Sequence, residues 1–189
     1  MVINEKALVR QMKEAYKGYG YTVAVDEDAV YLTNGFWLAE LDIDQVPSEI
    51  MGMFGEHIRD IPRSGDAYKV LKDKSGPIVQ TRILKEALGV VEQMLDRRAT
   101  AFASGLPVKM RKTNLNYNNL QVWQAKVERD VFLIDPRYAV MFEKTADVYK
   151  VGEGIYAEDS DSRLWVLRVS EESDKVYLSH MEKISWIKE

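Results

Sequence analysis

The sequence contains no cysteine and only two histidines, His57 and His180, among its 189 residues. The first absence excludes a disulfide framework, a thiolate zinc site, an iron–sulfur cluster and a cysteine nucleophile. The second leaves little for histidine chemistry. Neither histidine has a ligand partner three or four residues away, so both read as surface or hydrogen-bonded structural residues, with no metal site and no His-based triad. No GxxxxGK[ST] or GxGxxG phosphate loop and no GxSxG nucleophile elbow occurs. No pair of carboxylates stands in an apolar setting that would raise one pKa for acid–base work. The sequence therefore points to no catalytic residue and no cofactor. Long hydrophobic runs are lacking too. Tyr138–Phe142 and Val131–Ile134 fall far short of the roughly 18 residues of a membrane span. The opening MVINEKALVRQMK carries charge where a secretory leader would be apolar. A cytoplasmic, membrane-free protein is the expectation.

What is present suits a globular chain: 46% hydrophobic, 10% aromatic and 30% charged residues. The formal charge is −4, but it is unevenly spread. Between Lys69 and Lys112 stand ten basic residues and four acidic ones. The basic set is Lys69, Lys72, Lys74, Arg82, Lys85, Arg97, Arg98, Lys109, Arg111 and Lys112. A basic middle in an acidic chain is either an ordinary solvated surface or a polyanion-facing one.

The pattern predicts a helix over Asn4–Gly18, capped by Asn4 and stopped by Gly18 and Gly20. Leu8, Met12, Ala15, Tyr16 and Tyr19 share its apolar side. Lys6, Arg10, Lys13 and Lys17 follow i, i+4, i+7, i+11, which confines them to one stripe facing away from the core. Strands are expected at Tyr21–Val25, Ala29–Leu32 and Phe36–Leu41, with Asn34-Gly35 as a type I′ hairpin turn. Short helical signals follow at Pro47–Ile58, a strand near Tyr68–Leu71 and a longer helix over Val79–Ala101. Thr113–Asn119 reads as a polar connector. Strands follow at Val122–Val127 and Val131–Ile134, then a helix over Pro136–Lys144 with Asp135 at its N-cap and Arg137 and Lys144 on one side. Further strands are expected at Val148–Val151, Gly154–Ala157, Leu164–Val169 and Val176–His180. The acidic run Glu158-Asp159-Ser160-Asp161 lacks the glycine and distal glutamate of an EF-hand and reads as a hairpin turn.

The two ends share one plan, with FWLAEL standing opposite LWVLRV, so a repeated helix-plus-meander unit is the expectation. Trp37 and Trp165 fall at equivalent places in that repeat and read as core, although the four tryptophans, with Trp123 and Trp186, could instead stack bases. The expected architecture is α+β: a helix-plus-antiparallel-meander half over 1–45, a helical, basic insertion over 46–118, and a second half over 119–189.

The stretch IDPRYAVMFEKT, VYKVGEGIYAEDSDSRLWVLRVSEESDKVYLSHM and the N-terminal TNG between strands resemble the domains of bacterial DNA polymerase sliding clamps and their small phage or mobile-element relatives. That resemblance implies two helix-and-strand copies per domain and helices that contact duplex phosphates without reading sequence. It makes Lys6, Arg10, Lys13, Lys17, Arg137 and Lys144 the DNA-facing residues. Arg82, Lys85, Arg97, Arg98, Lys109, Arg111 and Lys112 would form a secondary basic patch. A clamp subunit has three such domains, so a ring would need several copies of this chain, a homo-oligomer, or a partner. Two functions remain open at this stage. One is a noncatalytic DNA-associated module that recruits replication proteins. The other is a protein-interaction or inhibitor module, phage-encoded, whose acidic β-rich C-terminal half, folded as a small barrel, engages a basic replication or host protein.

Overall fold

The helix α1 spans Glu5–Lys17, and the Asn4 side chain accepts the Ala7 backbone N–H at its start. That bond satisfies one of the four N–H groups a helix leaves open at this end. Leu8, Val9 and Met12 of α1 are buried, each stabilising the fold by roughly 1.5–3 kcal/mol as an apolar side chain removed from water. The computed structural model describes residues 1–72, 96, 108–125 and 130–169. The expected helix over 79–101, the expected strand over 176–180, and Arg82, Lys85, Arg97, Arg98, His180 and Trp186 lie outside the described residues.

After α1 come β1 (Tyr21–Asp26), β2 (Ala29–Thr33) and β3 (Trp37–Asp42), a 3-10 turn at Ile43–Gln45, α2 (Ser48–His57) and β4 (Ala67–Val70). Then follow β5 (Met110–Tyr117), β6 (Leu120–Ala125), β7 (Val131–Ile134), α3 (Pro136–Ala139), β8 (Tyr149–Val151), β9 (Gly154–Glu158) and β10 (Ser162–Leu167). All described strand pairs are antiparallel. The protein is an α+β fold. A seven-stranded sheet runs β4-β1-β2-β3-β10-β9-β8, and a three-stranded sheet runs β5-β6-β7. None of the described helices is long and apolar enough to cross a membrane.

The two meanders, β1-β2-β3 and β8-β9-β10, join through β3 and β10, the segments whose sequences matched in the expected repeat. Trp37 pairs with Val166, Leu38 with Trp165 and Glu40 with Arg163. Both tryptophans are buried, but they do not occupy matching places. Trp37, Ala39, Leu164 and Val166 belong to the main core under the helices, whereas Trp165 packs with Val151 and Tyr156 on the opposite face. Side chains alternate across a strand, so aligning the two tryptophans sets one of them on the wrong face.

The second sheet is tied to the first at two corners. Val169 N–H donates to Leu133 O at 2.7 Å just past β10, while Met110 N–H donates to Val148 O and Lys150 N–H to Val108 O, each at 2.8 Å. Neighbour relations thereby close on themselves in the order β5-β6-β7-β10-β9-β8-β5, a small antiparallel barrel joined at two corners by these few bonds. Residues 48–70 are not set apart from the rest: Ile50, Met53, Phe54, Tyr68 and Val70 lie in the same core as α1.

Three local readings are corrected. The β2–β3 turn is not type I′, because only Gly35 of Asn34-Gly35 has a positive φ, at 92°. Asn34 instead accepts the Phe36 N–H through its side chain, an Asx turn that the side-chain amide makes as readily as a left-handed backbone. The tight turn with two left-handed residues is Asn118-Asn119, at φ 48° and 63°, between the paired Tyr117 and Leu120. The supposed polar connector is thus strand β5. Thr113, Leu115 and Tyr117 are half-buried while Asn114 and Asn116 face water, an alternation hidden by the polar composition. The third correction is α3, which stops after one turn at Ala139 rather than reaching Lys144. The following chain is captured by the N-terminal segment: Asn4 N–H donates to Met141 O at 2.7 Å and Glu143 N–H to Val2 O at 2.8 Å.

Two glycines are required by close approach. At Gly20, with φ 81°, a Cβ would lie 2.4 Å from Val70 O, and at Gly154 a Cβ would lie 2.5 Å from Val166 O. Gly20→Ala and Gly154→Ala are each expected to destabilise the protein by about 1–3 kcal/mol, through overpacking against backbone that cannot yield. Urea denaturation midpoints check this, and an unchanged midpoint contradicts it.

Candidate nucleic-acid interface

On α1, Lys6, Arg10, Lys13 and Lys17 are all exposed, as their spacing requires once Leu8 and Met12 turn inward. The stripe is about 16 Å long at 1.5 Å per residue. Its charge is partly met by neighbours: Arg10 Nε lies 3.5 Å from Glu14, and Lys13 Nζ lies 2.8 Å from Glu49 of α2. These pairs are half-exposed and worth little in water, so they exchange readily for another anion. Lys6 and Lys17 have no carboxylate partner among the described residues.

A second group of cations surrounds a cavity of about 590 Å³ between β5, β6 and the chain that follows α3. Lys109, Arg111, Lys112 and Lys144 line it, with Glu143 as the acidic member. Met110, Trp123, Phe142 and Val148 supply its apolar wall. Lys109 is ion-paired with Asp147. Trp123 is 6% exposed and its indole N–H has no acceptor among the described residues. The structure thus unites Lys144 with three members of the expected secondary patch and separates it from Arg137.

Arg137 is differently placed. Its guanidinium grips Asp135 through Nε and Nη2, the latter at 2.6 Å, and lies over the Tyr138 ring. Hydrogen bonding to Asp135 raises the Arg137 pKa further. Asp135 also caps α3 by accepting the Arg137 backbone N–H at 2.9 Å. Burial opposes ionisation of Asp135, but these hydrogen bonds outweigh it and hold the carboxyl below its ordinary range. Arg137 lines a separate cavity with Gln11, Glu14 and Phe36.

No family model matches the chain, and no curated protein matches it.

Sequence reading missed a third feature, an acidic cavity of about 270 Å³. Asp26 closes β1, Glu27 and Asp28 form the β1–β2 turn, Glu40 and Asp42 come from β3, and Asp159 and Asp161 from the β9–β10 turn. Each acidic run is visible in the sequence as a turn. Their convergence follows from the β3–β10 pairing, which places Asp42 N–H 3.0 Å from Asp161 O, and from Ile43 N–H donating to Asp28 O at 2.8 Å. The acidic turn after β9 is the expected hairpin. Asp159 Oδ1 accepts the Asp161 and Ser162 backbone N–H groups and the Ser162 hydroxyl. Arg163 is the cation of this cavity and pairs with Glu40.

His57 is the expected structural histidine. Tyr16 stacks on its ring at 3.7 Å, and Nδ1 lies 3.0 Å from the Tyr21 hydroxyl. Burial lowers its pKa from 6.5; Glu56 opposes the shift and Lys13 adds to it. The unfolded chain therefore binds more protons than the folded one just below pH 6.5, so stability falls on acidification through that window. Asp135 and Asp159 act at lower pH, since their depressed pKa values give stability lost only below about 3.8. Denaturation midpoints should accordingly drop between pH 7.5 and 5.5. His57→Phe should flatten that slope, and an equally steep slope in the variant would contradict this assignment.

Proposed function

We propose that the protein is a noncatalytic module that associates with duplex DNA through phosphate contacts, resembling a sliding-clamp domain and recruiting replication proteins. The observation that carries this reading is the stripe on α1, where four cations stand exposed along one line while the neighbouring apolar residues are buried. Lysine and arginine on a helix surface meet phosphate oxygens with no base-edge contact, so such binding is indifferent to sequence. The acidic turns gathered at one end of the large sheet repel DNA there and favour approach through a cationic face such as the stripe.

Four phosphate contacts on B-DNA give a slope of about −3.6 for log affinity against log salt, or roughly 150-fold weaker binding at 200 mM than at 50 mM. Changing Lys6, Arg10, Lys13 and Lys17 together to Gln should remove most of that slope, measured by fluorescence anisotropy on two unrelated duplexes. Unaltered duplex affinity in this variant would sink the proposal.

A second reading is favoured by the acidic cavity. Carboxylates from both meanders converge there, which suits a protein-interaction module that docks a basic partner. Duplex binding that is absent at 50 mM salt, together with salt-sensitive binding of a lysine-rich peptide, would select it. Under either reading the protein acts by binding.

A further inference from the structure

We propose that the cavity between β5, β6 and the segment after α3 binds a nucleoside phosphate, a function that goes beyond duplex association and does not involve the α1 stripe. Its volume of about 590 Å³ is that of a small-molecule site. A duplex is far too wide to enter it. The two chemical halves of a nucleotide both find a match. Arg111, Lys112 and Lys144 are exposed and have no carboxylate partner among the described residues, and their N–H donors suit phosphate oxygens. Met110, Trp123, Phe142 and Val148 form the apolar wall against which a planar base can pack, and Val140, 42% exposed, stands at the rim.

The distribution of charge around the cavity favours a ligand over bare solvent. Lys109 is paired with Asp147, but Arg111, Lys112 and Lys144 are gathered here with no carboxylate partner among the described residues. Lys112 stands opposite Trp123 across the β5–β6 pair, and Lys144 is brought in from the other side by the Val2–Glu143 and Asn4–Met141 hydrogen bonds. Among the described lining residues Glu143 alone opposes these cations. Its carboxylate can accept from a base amino group or a ribose hydroxyl, which an inorganic anion does not offer.

Titration calorimetry of the full chain with adenosine diphosphate, adenosine and pyrophosphate tests this. The expected result is saturable binding of adenosine diphosphate, with adenosine and pyrophosphate each about tenfold weaker or worse, the loss of one charge-assisted hydrogen bond set or of the ring contact. Changing Lys112 and Lys144 together to Gln should weaken adenosine diphosphate at least about tenfold, and Lys112→Arg should retain it. Both lysines are exposed, so the fold is expected to survive, and Val140→Asp at the rim provides an independent block. Adenosine diphosphate that fails to saturate, that pyrophosphate equals, or that these variants leave untouched overturns the proposal. The α1 variant with four Gln separates the two readings, because it should lose duplex binding and keep adenosine diphosphate.

Discussion

The pairing of β3 with β10 is the contact on which the remaining architecture depends. It joins residues more than 120 positions apart and turns two three-stranded meanders into one sheet. An isolated hairpin is marginal, and a sheet gains stability from more strands and from packing an apolar face against helices. Side by side, the two meanders present Trp37, Ala39, Leu164 and Val166 as a continuous floor for the helices. The Glu40–Arg163 ion pair sits across the same seam and has an opposite-charge partner in register, where a slip by one residue would break it.

The same seam sorts the charge. Antiparallel pairing sets the end of β3 beside the start of β10, so the acidic turns of the two meanders meet at one end of the sheet. Cations gather elsewhere, on α1 and around the cavity near β5. A chain of net charge −4 can therefore approach a polyanion, because the field at a given face is set by local charges within about 8–10 Å at physiological salt. Arg137 illustrates the converse. The resemblance to clamp domains implied a phosphate contact for it, and in the structure its fork is held by Asp135 two residues earlier.

Much of this was legible from local pattern. The cap at Asn4, the buried and exposed sides of α1, the meander strands and the Asp135–Pro136 helix start all depend on residues within a few positions of each other, and the structure has them. The failures share a cause in long-range contact. Nothing local announces that α3 will stop at Ala139, because the hydrogen bonds that end it come from Val2 and Asn4. Strand β5 was hidden because its water-facing positions are asparagines, which signal turns when read one by one. The face of Trp165 needed the register of β10, which the similarity of two segments does not supply.

The early end of α3 is also what builds the cationic cavity. Had the helix run on to Lys144, that residue would have stood two turns from Arg137 on the same side, and both would have belonged to one helical surface. Instead, the segment from Val140 to Val148 leaves the helix, is pinned by Val2 and Asn4, and hands its end to β5 through Met110 N–H and Val148 O. Phe142 is turned inward against Trp123, with ring centroids 6.3 Å apart, and Lys144 is carried to the cavity that Lys112 also lines. A helix would have set these side chains on a convex surface. The captured loop sets them around a concave one, and concavity is what lets cations and an apolar wall act on a single small ligand.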